Sequence, residues 1–237
     1  METVKSILAP LLKPISPEIF AYFDDIADGA LSGMEKIGLN LLPAVDVARW
    51  SKQFRSFHPL VRTMGGLVLV DGNTSNHHVY LSSGPLEGAI LFLDHDGDTR
   101  VVFSSLSEFF VAGCNASSKN LHLEDLHPAY SPLESNQQPL NAFASDQLEG
   151  DDADAVIPAL LHSMDLQDLD LLGRIAIDSN FLLVEAVAEA IQRHPSNHLR
   201  AIAELCAANW HAQAANAGRR ALAAIEADGI KSKFSPI

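Results

Sequence analysis

The stretch formed by residues 88–111, GAILFLDHDGDTRVVFSSLSEFFV, constrains the fold of this chain more than any other. Two short apolar runs, residues 89–93 and 101–103, flank a polar segment that contains the dipeptide Asp96-Gly97. This arrangement predicts a β-hairpin, because glycine accepts the positive φ of a tight turn. The residues that follow, from Ser104 or Ser105 onwards, predict a helix with an N-terminal serine cap.

The hairpin is expected to complete a β-meander. Residues 67–70 and 78–81 are short apolar runs, and the turn residues Asp71-Gly72-Asn73 lie between them, so they predict two earlier strands. One helix is predicted from Ser16-Pro17-Glu18 to Gly29, and a second after Pro43. The first part of the chain is therefore predicted to be α+β, with an antiparallel meander flanked by helices.

The periodicity and composition of the sequence change after residue 112. Residues 113–152 lack periodicity and contain three prolines, so they are interpreted as a linker or an irregular segment. Residues 153–237 show helical spacing of apolar residues throughout, with a final helix expected to end at Gly229. The predicted domains are thus 1–112 (α+β), 113–152 (linker) and 153–237 (an all-α helical bundle or repeat-like domain), although no clean repeat period is visible.

The charge of the chain limits its partners. It has 16 basic and 30 acidic residues, a formal net charge of −14, which argues against nucleic acid as a direct ligand and permits a basic protein. No apolar run approaches the roughly 20 residues of a membrane span. The N-terminus does not resemble a signal peptide, and Cys114 and Cys206 form no motif, so a cytoplasmic protein with reduced thiols is expected.

Catalytic and metal-binding patterns are missing from the sequence. There is no P-loop, no dinucleotide-binding glycine motif and no nucleophile elbow. Asp94, Asp96 and Asp98 have the spacing that opens a calcium loop, but Thr99 and Ser105 stand where that loop needs glycine and glutamate. The adjacent His77 and His78 are expected to point to opposite faces of a strand and so not to share an ion. No cofactor, no metal and no catalytic residue is predicted.

The order of elements resembles the SUKH superfamily, the Smi/Knr-like fold of bacterial immunity proteins and fungal cell-wall regulators. The resemblance rests on a leading helix that ends at Gly29, on the helix after Leu41-Leu42-Pro43, and on a meander with a turn like Asp71-Gly72. It is most specific in the closing hairpin Asp94-His95-Asp96-Gly97 and the following SLSEFF. It covers about the first half of the chain.

The resemblance implies a non-catalytic inhibitor that binds a cognate toxin, often a nuclease or a deaminase. The acidic balance agrees with a basic partner protein, since opposite charge accelerates encounter. A regulatory scaffold and a hydrolase with dispersed carboxylates are the alternatives, and the oligomeric state is undetermined. Residues 121–185 contain 13 acids and a single base, Arg174. The expected partner contacts are the acidic residues Asp94, Asp96, Asp98, Glu124, Asp125, Asp151, Asp152 and Asp154.

Overall fold

The computed structural model describes residues 3–11, 16–70, 75–95 and 97–234, without the side chains of residue 36 and of residues 231–234. The chain divides into two compact units, residues 1–132 and 133–237. The described residues are α+β, with one four-stranded antiparallel sheet and eleven α-helices. The sheet lies in the first unit, whose elements are α1 (Val4–Leu8), α2 (Pro17–Ala27), α3 (Ala44–Phe57), α4 (Pro59–Thr63), β1 (Leu67–Val68), β2 (His77–Tyr80), β3 (Ile90–Leu93), β4 (Arg100–Phe103) and α5 (Leu106–Lys119).

The four strands form a meander in the order β1-β2-β3-β4, which confirms the prediction of an antiparallel sheet. In the pairing of β2 with β3, His78 lies opposite Phe92 and Tyr80 lies opposite Ile90. Leu41 adds an isolated antiparallel bridge to Val70 beside β1. The predicted turn at residues 71–73 lies outside the described residues.

Both faces of the sheet are covered, and all four strands are buried along their whole length. His77 points to the α3 face, where its ring meets Phe54. His78 points to the opposite face, where its ring meets Phe109 of α5. The two adjacent histidines therefore do lie on opposite faces, as the alternation of a strand requires.

Helix α5 begins where the sequence predicts and ends later. The Ser105 hydroxyl accepts a hydrogen bond from the Glu108 N–H at 3.2 Å, and the Glu108 carboxylate accepts one from the Ser104 N–H at 2.8 Å. This reciprocal cap satisfies two backbone donors at the helix start. The helix ends at Asn120, which adopts the left-handed conformation with φ of 52°.

The prediction that residues 113–152 form a linker or an irregular segment is wrong. These residues contain the end of α5, a 3₁₀ turn at Leu123–Leu126 and a further helix, α6 (Gln137–Leu148). Gly113 lies inside α5 and does not end it. A Cβ on this residue would come within 2.9 Å of the Leu31 side chain. The side chains of Leu31 and Leu39 pack closely against this glycine. The boundary between the two units falls after residue 132.

The second unit is entirely helical in its described residues. Its helices contact one another as consecutive pairs, α6 with α7, α8 with α9 and α10 with α11. Neighbouring pairs also contact each other. The first helices of the pairs touch in the order α6, α8, α10, and the second helices touch in the order α7, α9, α11. After α6 the elements are α7 (Ala153–Leu161), α8 (Leu169–Ala176), α9 (Phe181–Arg193), α10 (Arg200–Ala207) and α11 (Ala212–Phe234).

The last two helix pairs repeat with a period of 31 residues. Helices α8 and α10 begin at Leu169 and Arg200, and α9 and α11 begin at Phe181 and Ala212, so both spacings are 31 residues. Residues buried in one pair are buried in the next: Leu171 and Ile202, Leu172 and Ala203, Ile175 and Cys206, Leu183 and Ala214, Ala186 and Ala217, Ala190 and Ala221. The burial pattern repeats while residue identity changes, which is why the sequence shows no clean period.

The pairing of α10 with α11 depends on Gly218. A Cβ built on this residue would lie 2.6 Å from the carbonyl carbon of Cys206, which belongs to the backbone of α10 and has no rotamer by which to move away. Gly229, farther along α11, has no neighbour within 4 Å of such a Cβ. It does not end the helix, which continues to Phe234 and so corrects the predicted end.

We expect alanine at these two glycines of α11 to change stability in opposite directions. Gly218→Ala should destabilise the protein by about 1–3 kcal/mol, because the added methyl group overpacks a backbone contact. Gly229→Ala should stabilise it by up to about 1 kcal/mol, because alanine has the higher helix propensity and the site is open. Urea unfolding followed by circular dichroism measures both. Equal effects of the two substitutions would contradict the close approach at Gly218.

Candidate functional site

The acidic residues of the β3–β4 hairpin are bound partly to their own turn. The Asp94 carboxylate accepts a hydrogen bond from the Asp98 N–H at 3.2 Å. The Asp98 carboxylate in turn accepts one from Arg100 Nε at 2.9 Å, while most of its side chain remains exposed. Asp96, the third expected contact in this turn, lies outside the described residues. Asp94 and Asp98 therefore shape the turn, and Asp98 also presents negative charge to solvent.

Glu124 and Asp125 are exposed on the 3₁₀ turn at Leu123–Leu126. The Asp125 carboxylate accepts a hydrogen bond from the His122 N–H at 3.1 Å and so caps the start of the turn. Arg100 connects this region with the hairpin, since its Nη2 donates to the Pro128 carbonyl at 2.9 Å. The structure therefore brings the hairpin acids and this acidic turn into one region of the first unit.

The remaining expected contacts lie in the second unit. Asp151 and Asp152 occupy the turn before α7, and Asp154 lies in the first turn of that helix. The Asp154 carboxylate accepts a hydrogen bond from Asn180 Nδ2 at 3.3 Å. The eight acids chosen from the sequence are thus divided between the two units.

A pair of histidines, His78 buried and His127 half-buried, connects the sheet of the first unit with the segment after α5. His78 Nε2 and His127 Nε2 are 2.9 Å apart, a hydrogen bond in which one ring nitrogen donates and the other accepts. The His127 ring also packs against the rings of Phe92 and Phe103, and the His78 ring packs against Phe109. The pair anchors the chain at residue 127 onto the sheet.

Both histidines are held neutral by their surroundings. Burial, together with the neighbouring His127 and His77, holds the pKa of His78 well below its usual value. Burial and the Arg100 charge lower the pKa of His127 to about 4, against a smaller opposing effect of Asp98. The hydrogen bond between the rings needs one unprotonated nitrogen as its acceptor, and protonation of both rings would remove that acceptor. The neutral pair is therefore a structural contact. The sequence gives a weak signal for it, two histidines far apart among apolar residues.

A groove lies next to this pair, along α5 and the edge strand β4. Its volume is about 550 Å³, and its lining is largely apolar. Val111 and Tyr130 are its most exposed apolar members. Sequence reasoning did not identify this groove, because it forms between α5 and residues 126–132, which were expected to be a linker.

One edge of the second unit is formed by the turns within the helix pairs. The Asp154–Asn180 hydrogen bond connects the first pair to the second, and the rings of Phe181 and His211 stack with their centroids 3.6 Å apart, which connects the second pair to the third. Two large apolar residues project from these turns, Ile177 at 68% exposure and Trp210 at 77%. We call this row of turns, residues 149–152, 177–180 and 208–211, the turn edge.

Other site chemistries find little support in the described residues. No group of three or more histidine, cysteine, aspartate or glutamate side chains there is arranged to hold a metal ion. Cys206 is buried, and burial raises the pKa of its thiol to about 12, so this thiol is unreactive at neutral pH. None of the described helices has the length and apolar character needed to cross a membrane.

Comparisons of the chain with protein-family models, with curated proteins and with solved structures found no match.

We expect the His78–His127 pair to make stability depend on pH. In the unfolded chain both rings take up protons near pH 6.5, whereas the pKa of each folded ring is lower, so protonation favours unfolding. The stabilisation should be complete above about pH 6.5 and should decline as the pH falls toward about 4. Urea midpoints measured at several pH values in this window test the expectation.

The matched variants for this test are His127→Gln and His95→Gln. Glutamine at 127 removes one titrating ring and keeps a side-chain donor for His78, so the pH dependence should become weaker. His95 is exposed on the hairpin turn, and its replacement should leave the pH dependence unchanged. The expectation fails if both variants retain the slope of the parent protein.

Proposed function

We propose that this chain is a SUKH-like immunity protein that binds and neutralises a basic toxin in the cytoplasm without catalysis of its own. The order of elements in the first unit supports the proposal: α2, the bridge at Leu41, α3, the four-stranded meander and α5 follow one another as in the resemblance. The additional helical unit extends the surface available to a partner.

The observation that carries the proposal is the excess of carboxylates at the surface. None of the 13 acids in residues 121–185 is buried, and Arg174, the one base of that stretch, already pairs with Glu149 at 2.5 Å. An excess of carboxylates at the surface attracts a basic protein and can accelerate encounter by about 10- to 1,000-fold at low salt. Toxins that act on nucleic acid need basic surfaces to hold phosphate, which gives them the complementary charge.

The turn edge adds an apolar anchor to this charge. Trp210 is 77% exposed, and tryptophan is among the residues that most often dominate binding energy when they become buried at an interface. Asp151, Asp152 and Asp154 lie at the first turn of the same edge. An exposed aromatic residue on the same edge as these acids suits a protein partner better than it suits a small-molecule substrate.

The helix-pair repeat favours a second candidate function, a regulatory scaffold. Stacked helix pairs form extended surfaces that bind proteins, and this property does not require a toxin. A scaffold would bind cellular proteins of ordinary function and would rescue no toxin. Co-expression with the product of the neighbouring reading frame separates the two functions, since only an immunity protein restores growth.

We expect charge neutralisation at the predicted contacts to slow association with that toxin. Glu124→Gln with Asp125→Asn removes two exposed acids, and Glu204→Gln with Asp228→Asn is the matched control, with the same change in net charge at exposed positions of α10 and α11. The first pair should lower the association rate at low salt more than the control, and high salt should remove the difference. Stopped-flow mixing measures the rates. A neighbouring product that is neither toxic alone nor bound by this chain would refute the proposal.

We expect Trp210→Ala to weaken toxin binding and to leave folding intact. The side chain is exposed, so stability should change by less than about 0.5 kcal/mol. Loss of a buried interface tryptophan commonly costs about 2 kcal/mol or more of binding energy. Ile230→Ala is the control, since Ile230 is also exposed but lies on α11 about 27 Å from the start of that helix. Isothermal titration calorimetry compares the two variants, and equal affinities would remove the turn edge from the interface.

A further inference from the structure

A second cavity of the first unit lies between α2 and α5, and we call it the α2–α5 cleft. Its volume is about 230 Å³. Helix α2 lines it with Glu18, Tyr22 and Asp25, which share one face of the helix because they are spaced by four and three residues. Helix α5 supplies the opposite wall, with the apolar residues Leu106, Phe110 and Val111.

The two walls of the cleft differ in chemistry. The α2 wall has two carboxylates, and no lysine or arginine is among the described residues that line the cleft. Glu18 is held in place, because its Oε1 accepts a hydrogen bond from the Tyr80 hydroxyl at 2.9 Å. The α5 wall is apolar apart from Ser107, and Val111 on it is 57% exposed. The cleft therefore combines negative charge on one side with an apolar surface on the other.

Tyr22 is an independent sign that the cleft takes a polar ligand. Its side chain is only 3% exposed, and its hydroxyl is buried with no hydrogen-bond partner among the described residues. Burial raises the pKa of this hydroxyl, so it remains protonated at neutral pH and retains its oxygen as an acceptor. A buried polar group without a partner costs stability, and a ligand that supplied the partner would recover that cost.

The size of the cleft limits its occupant. Sites for small molecules usually measure about 300–1,000 Å³, so a cavity of about 230 Å³ suits a single side chain better than a metabolite. Lysine and arginine have an apolar stem and a cationic end, and they commonly lay the stem along an apolar wall while the charge reaches polar groups. The apolar residues of the α5 wall match the stem, and the carboxylates of the α2 wall match the cationic end.

We propose that the α2–α5 cleft receives a lysine or arginine side chain of the basic partner protein. The stem packs against Phe110 and Val111, and the cationic group lies between Glu18 and Asp25, within reach of the Tyr22 hydroxyl. The inference rests on the proposed function for the identity of the partner. It also goes beyond the acids chosen from the sequence, since none of those that the structure describes lines this cleft.

The test uses two probes that reproduce the side chains, n-butylammonium for lysine and n-propylguanidinium for arginine, with 1-butanol as the neutral control. Each is titrated into the full chain at constant ionic strength, and methyl and aromatic NMR signals of Leu106, Val111 and Phe110 are followed. We expect saturable shifts with the two cations and none with 1-butanol. Absence of saturable shifts, or equal shifts with 1-butanol, would overturn the proposal.

Asp25→Asn and Asp24→Asn are matched variants for the same titration. Both residues are exposed on α2, and only Asp25 lines the cleft. Asp25→Asn should weaken binding of the cations by about three- to fivefold, the usual effect of an exposed ion pair, whereas Asp24→Asn should leave it unchanged. Equal effects of the two variants would mean that only the overall charge attracts the probes and would overturn the proposal.

Tyr22→Phe tests the buried hydroxyl separately. It should weaken binding of n-butylammonium without lowering the melting temperature, because the lost hydroxyl has no partner among the residues that the structure describes. Undiminished binding would remove Tyr22 from the site and overturn that part of the proposal. None of these titrations contains a toxin, so cation binding without toxin rescue refutes only the proposed function. Toxin rescue without cation binding refutes only the cleft.

Discussion

Burial of the sheet on both faces is the constraint on which the first unit depends. Each strand is short and apolar, so neither face can remain in water, and helices must cover both. Helices α3 and α4 cover one face, and α2, α5 and the segment around His127 cover the other. The groove and the α2–α5 cleft both lie along α5, so they follow from the way this second face is closed.

Neutral polar contacts stabilise the interior of this unit, and the carboxylates remain at its surface. His78 and His127 satisfy each other with one hydrogen bond. The Ser51 hydroxyl accepts a hydrogen bond from the Val68 N–H at 2.9 Å. Both contacts satisfy polar groups of the interior without adding charge. Burial of unpaired carboxylates would be far more costly. Accordingly, no carboxylate among the described residues of this unit is buried.

The second unit presents its surface differently. Its core is built mostly from leucine, isoleucine, valine and alanine at equivalent positions of successive helix pairs, so each pair is stabilised by its neighbours. The turns then align along one edge, where Ile177 and Trp210 are exposed. A repeated core can keep its geometry while the turn residues vary, and this makes the turn edge a suitable place for recognition.

Local interactions made much of the architecture predictable. The strands, α2 and the Ser105 cap of α5 depend on residues within a few positions of one another, so periodicity and turn chemistry identify them. The site was less predictable. The acids chosen from the sequence are at the surface where they are described, but the α2–α5 cleft was missed because its walls are about 80 residues apart in the chain.

The sequence by itself determined the secondary structure of the meander, the helical character of the described residues from 153 onwards and the acidic surface. Only the tertiary structure decided the structural roles of two glycines and of one histidine pair. Gly113 and Gly218 resemble helix breakers in sequence, yet both lie inside helices at close contacts. His78 and His127 are 49 residues apart and meet through a single hydrogen bond. These outcomes depend on contacts between distant segments, and local patterns contain no information about which segments will touch.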